Sequence, residues 1–118
     1  MAPEHPPGKL EMAGAEAIAL SGMINYQDGA VVSRTLIHRT AATITLFAFD
    51  EGQGLSEHTA PFDALAQVLE GEAEITVSSK PIAARAGDAV LMPANQPHAL
   101  KALTPFKMLL TMIRSQEK

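Results

Sequence analysis

An all-β barrel or sandwich is the fold class this sequence predicts. Three observations predict it. Apolar residues alternate with period two through most of the chain after Val31. Gly and Pro punctuate those runs at short intervals. No stretch carries a strong helical period, and no repeat of fixed length is present.

Taken in order, residues 1–12 are Pro-rich and are expected to form an irregular arm, leaving residues 13–118 as a single barrel domain. Ala13 to Leu20 reads as a helical turn or a first strand, and Gly22, Asn25, Asp28 and Gly29 mark a loop. Val31 to Arg39 is rich in β-branched residues. Thr43 to Phe49 alternates, with Ile44, Leu46 and Ala48 on one face and Thr45, Phe47 and Phe49 on the other. Both faces are partly apolar, as in a strand covered on both sides. Residues 50–54 form a turn, and Asp63 to Leu69 is a further strand. Glu72 to Val77 alternates most clearly, turning Ala73, Ile75 and Val77 inward. Ser78 to Pro81 is a hairpin turn, followed by strands at Ile82 to Ala86, Ala89 to Met92, His98 to Leu103 and Phe106 to Ile113.

Composition narrows the functional classes. Nine Lys and Arg against thirteen Asp and Glu give a net charge of −4, without the basic stripe of a nucleic-acid binder. Five aromatic residues and no Trp offer little surface for stacking bases. Cysteine is absent, which excludes disulfides, thiolate nucleophiles and cysteine-based metal sites. There is no run of eighteen apolar residues to span a membrane and no apolar core to a secretory signal, so a cytoplasmic protein is expected.

Two segments carry specific spacing. The first is Gly52-x5-His58-x-Ala60-x3-Ala64-x6-Gly71; the second is Gly87-x5-Pro93-x-Asn95-x2-His98-x3-Ala102. At these residues the chain resembles the cupin superfamily, and within it the small single-domain barrels of the cupin 2 conserved-barrel type. The family's motifs read G-x5-H-x-H-x3/4-E-x6-G and G-x5-P-x-G-x2-H-x3-N. The resemblance covers about Val31 to Ile113 and implies a double-stranded β-helix, or jelly-roll, barrel. It also implies a shell of three imidazoles and one carboxylate for a divalent transition metal such as Zn, Ni, Fe or Mn.

The chain departs from the pattern at the ligands. Ala60 stands for the second histidine, Ala64 for the glutamate and Ala102 for the asparagine, so His58 and His98 are the two candidate metal ligands that survive. Asp63 is one residue from the glutamate position and, with Gln67, faces outward in a regular strand; Glu57 points away, and His38 and His5 lie elsewhere.

His58, His98, Ala60, Ala64 and Met92 are therefore expected to line a ligand pocket, with one face of the Phe47/Phe49 strand as a further wall and volume left by Ala66 and Ala102. The expected guest is a small polar molecule, for which a carboxylate is one option. The alternative for the histidines is a buried hydrogen-bonded pair, and for Met92, Met108 and Met112 it is core filling. Three functions remain open: a binding module with a degenerate metal site, a metal-dependent isomerase, lyase or dioxygenase acting on a small organic substrate, or an oligomeric scaffold. A homodimer is expected, both from the resemblance and from the apolar faces at Val31 to Phe49 and Phe106 to Ile113.

Overall fold

A computed structural model describes residues 9–10 and 12–114 of the chain. The strands are β1 (Lys9–Leu10), β2 (Val31–His38), β3 (Ala42–Phe49), β4 (Gly54–His58), β5 (Asp63–Glu70), β6 (Glu72–Val77), β7 (Lys80–Arg85), β8 (Ala89–Met92), β9 (His98–Ala102) and β10 (Phe106–Ile113). A six-stranded sheet in the order β1-β2-β3-β10-β5-β8 faces a four-stranded sheet in the order β4-β9-β6-β7, and every pairing is antiparallel. This is the jelly-roll arrangement, two sheets folded into a barrel. No helix among the described residues is long and apolar enough to cross a membrane.

Three local readings are corrected. Lys9–Leu10, assigned to the irregular arm, pairs with β2 as a strand; the rest of that arm, residues 1–8 and 11 with His5 among them, lies outside the described residues apart from Met12. Of Ala13 to Leu20 only Leu20 enters a regular element, a short 3₁₀ turn at Leu20–Met23. Gly54–His58 is a strand that the turn-like sequence Asp50 to Gly54 conceals. A Cβ on Gly54 would collide with the carbonyl of Leu100, so glycine lets β4 close onto β9 here.

The turns obey local chemistry. Ser78 and Ser79 have φ of 48° and 69°, the two left-handed positions of a type I′ hairpin, so β7 begins already at Lys80. Gly71 has φ of +79°, and a Cβ there would strike Pro105 and Phe106. Asn95, with φ of 66°, takes the left-handed position the motif gives to glycine.

The alternation seen in β3 places two layers of core. Inside the barrel, Phe49 stacks on Phe106 at 4.5 Å, packed with Ile75, Val68, Met108 and Leu100. Burial of each such large side chain contributes about 1.5–3 kcal/mol. Outside, Leu36, Leu46 and Ala48 are covered by Leu20, Met23 and Ile24 of the segment before β2. Polar contacts fasten that cover. Lys107 Nζ donates to the Ser21 carbonyl at 2.6 Å, pairs with Glu70 at 3.0 Å and lies 5.0 Å from the centre of the Tyr26 ring. The Tyr26 hydroxyl donates to Glu70, and burial together with that carboxylate pushes its pKa up to about 12.

Candidate functional site

The site begins with a register shift. Leu55 pairs with Leu100, yet His58 pairs with His98, so β4 advances three residues while β9 advances two. In a regular strand Leu55 and His58 would point to opposite faces. The extra residue, a β-bulge, turns both into the barrel. His58 and His98 then face each other with ring centroids 4.3 Å apart and planes at 68°. His98 is buried and His58 is exposed, so the pair runs from the interior to the rim.

The hydrogen bonds decide which nitrogens are available. His58 Nδ1 lies 2.8 Å from the Ser56 carbonyl, and His98 Nδ1 lies 3.2 Å from the Gln96 carbonyl. A carbonyl only accepts, so each Nδ1 carries a hydrogen and donates it. The two Nε2 atoms stand 3.1 Å apart, within hydrogen-bond distance of each other. With both Nδ1 hydrogens on carbonyls, one proton shared by the two Nε2 atoms, or a donor or cation from outside, satisfies the pair. With the Nδ1 hydrogens engaged, the remaining ring nitrogens suit a hydroxyl, an ammonium or a cation.

A cavity of about 60 Å³ adjoins the pair. An engineered cavity of about 150 Å³ admits benzene, so this one encloses only a few heavy atoms. Its wall holds His58, His98, Ala60, Ala64 and Met92, the five residues singled out from the sequence. Leu55, Phe62, Leu100, Met108, Leu110 and Met112 complete it. The alternation of β10 already aligned Met108, Leu110 and Met112 on one face, but nothing local showed which sheet that face meets. The Phe47/Phe49 wall is corrected: both rings pack into the closed core. Ala66 and Ala102 likewise fill core positions and leave no space at the cavity.

The surrounding loops are pinned. Asn95 N donates to the Ala60 carbonyl at 2.7 Å, and Ala94 N donates to Asp63 Oδ1 at 2.9 Å. Asp63 thus faces outward and serves the loop, and Glu57 and Gln67 are exposed. The Arg114 guanidinium lies 5.6 Å from the centre of the Phe62 ring and donates to Thr43 Oγ1 and the Arg39 carbonyl.

Comparison with known proteins agrees with this architecture. The Cupin domain family profile matches residues 45–113. The chain belongs to the cupin family. The barrel is similar to a conserved protein of unknown function from Streptococcus pyogenes, at 34% identity and TM-score 0.84, covering 90% of this chain and 93% of that one. A cupin 2 conserved barrel domain protein from Leptotrichia buccalis is 37% identical with TM-score 0.76, over 79% of this chain and 45% of the other. A cupin superfamily protein from Desulfitobacterium hafniense is 28% identical with TM-score 0.86, over 92% and 100%. No curated protein matches the chain.

The family implies a metal, and the donor set here does not fit one of the usual kind. A tightly held catalytic metal takes three or more protein ligands. Among the described residues no three His, Cys, Asp or Glu converge. Ala60 and Ala64 occupy the cavity wall where the pattern has an imidazole and a carboxylate, and a methyl group donates no electron pair.

Proposed function

We propose that this cupin is a binding module that holds one small guest against the His58–His98 pair. One observation carries the reading. Both Nδ1 hydrogens are spent on backbone carbonyls, so the two Nε2 atoms, 3.1 Å apart beside the cavity, are the ring atoms left to meet a guest, and they suit one that is cationic or donates hydrogen. The apolar wall holds the rest of the guest. A few heavy atoms fill the cavity, and any larger part of the guest projects past His58 toward solvent.

Thermal unfolding with a panel of small alcohols, amines and hydroxy acids tests this. A guest at a hundred times its Kd stabilises the fold by about 2.7 kcal/mol. The shift is expected for the natural chain and absent in His58→Ala and His98→Ala. A shift that survives both substitutions would place the guest elsewhere.

The metal-enzyme reading ranks second, favoured by the retention and convergence of one histidine from each motif. Metal analysis of protein purified without chelator separates the two. A stoichiometric divalent ion, lost in His58→Ala, would favour the enzyme.

We also propose that two copies pair, through a narrower surface than the sequence suggested. Much of the outer sheet face is covered by the chain's own Leu20, Met23 and Ile24. Leu91 and Ile113, 56% and 50% exposed, remain on that face beyond the cover. Sedimentation at micromolar concentration should give a dimer, and Ile113→Lys a monomer. A monomeric natural chain would end this proposal.

A further inference from the structure

Ala64 stands where the family pattern has its carboxylate. Its two cross-strand neighbours are both methionines: Met92 on β8 and Met112 on β10. Directly opposed residues share a face of the sheet, and all three line the cavity together with His58 and His98. The hard oxygen donor is thus missing, and thioethers flank its place on both sides.

That exchange changes which ion the cavity favours. Carboxylate and carbonyl oxygen suit hard divalent cations, whereas thioether sulfur selects Cu(I) and imidazole accepts it. Charge argues the same way. Neutral imidazoles and thioethers bring no negative charge, so an apolar cavity desolvates a monovalent ion at far lower cost than a divalent one. Reach is adequate too. The Nε2 separation of 3.1 Å is within the span of one ion whose bonds to nitrogen are about 2.0–2.1 Å. Methionine has three rotatable bonds, so a sulfur can swing toward that point without backbone movement.

We propose that the cavity is a site for a soft monovalent cation, Cu(I), held by Nε2 of His58 and His98 and by the thioether of Met92 or Met112. The proposal rests on the cavity being a binding site and names its occupant. It concerns binding alone.

The test is an anaerobic titration of the full chain with Cu(I) buffered by a chromophoric Cu(I) chelator, with Zn(II) titrated in parallel. One Cu(I) per chain is expected, lost in His58→Ala. Leucine conserves methionine's volume to a good approximation, so the double variant Met92→Leu/Met112→Leu keeps the wall but removes sulfur. It should weaken Cu(I) at least about tenfold, or 1.4 kcal/mol, and leave Zn(II) unchanged. Methyl resonances of Met92 and Met112 should move on addition of Ag(I), a stable surrogate ion. Cu(I) affinity that is indifferent to the double substitution, or Zn(II) held as tightly as Cu(I), overturns the proposal. Absence of Cu(I) binding while small hydrogen-bond donors still give a histidine-dependent thermal shift overturns this inference alone. If neither binds, the binding-module reading falls with it.

Discussion

Two polar clusters, one outside the barrel and one inside, are built on opposite logic. Around Lys107, each partner is supplied by the chain: the ammonium meets the Ser21 carbonyl, the Glu70 carboxylate and the Tyr26 ring, and the Tyr26 hydroxyl meets Glu70. Around His98, the two Nδ1 atoms meet backbone carbonyls while the two Nε2 atoms face each other at 3.1 Å beside a cavity. A cluster that closes on itself fastens one segment to another. A cluster whose two ring nitrogens converge beside a cavity has room for a guest.

Restoring the family's ligands should sharpen that contrast most. The double substitution Ala60→His/Ala64→Glu would give the inner cluster four protein ligands. It should then retain one divalent metal per chain through gel filtration, where the natural chain releases it, with a rise of several kcal/mol in metal-saturated stability. Failure to retain metal would mean that the cavity geometry, and not only its chemistry, has left the family pattern.

Removing one member from each cluster comes next. Lys107→Met keeps the buried stem but loses a charge-assisted bond to the Ser21 carbonyl, and urea unfolding should show a loss of about 1.5–3 kcal/mol. Glu70 is partly solvated, so its ion pair adds little to that figure. His98→Leu should change stability by less than about 1 kcal/mol, because the exposed Gln96 carbonyl and His58 ring turn to water. It should nevertheless abolish guest binding. Equal losses in the two variants would erase the distinction between fastening and site.

A pH dependence follows in the outer cluster. The Tyr26 hydroxyl titrates near 10 when unfolded and near 12 when folded. The folded state therefore binds the proton more tightly, and stability contributed by the neutral phenol is present below pH 10 and lost between pH 10 and 12. In Tyr26→Phe the urea midpoint should fall less steeply across that window. Parallel curves would remove the hydroxyl from the fastening.

Particular residues show what was legible in the chain and what was not. Alternation in Glu72–Val77 and in Phe106–Ile113 is a local property of an extended backbone, so those strands and their inward faces can be read from the residues alone. The same holds for the glycines at 71 and 87 and for Asn95, whose left-handed conformations follow from turn sterics. The spacing of His58 and His98 within their motifs likewise pointed to a shared interior. β4 was not legible, because Gly54–His58 lacks alternation and is recruited by its partner strand β9.

What sequence alone determined, then, are the strands from Val31 to Phe49 and after Asp63, the alternation of their faces, the family and the loss of two ligands. What only the tertiary structure decided is the bulge that brings His58 opposite His98, the carbonyls that meet both Nδ1 atoms, and the meeting of Met92 and Met112 around Ala64. The physical reason is range. Alternation and turn sterics act within a few residues, whereas register, carbonyl partners and cross-strand neighbours exist only once strands distant in sequence have paired.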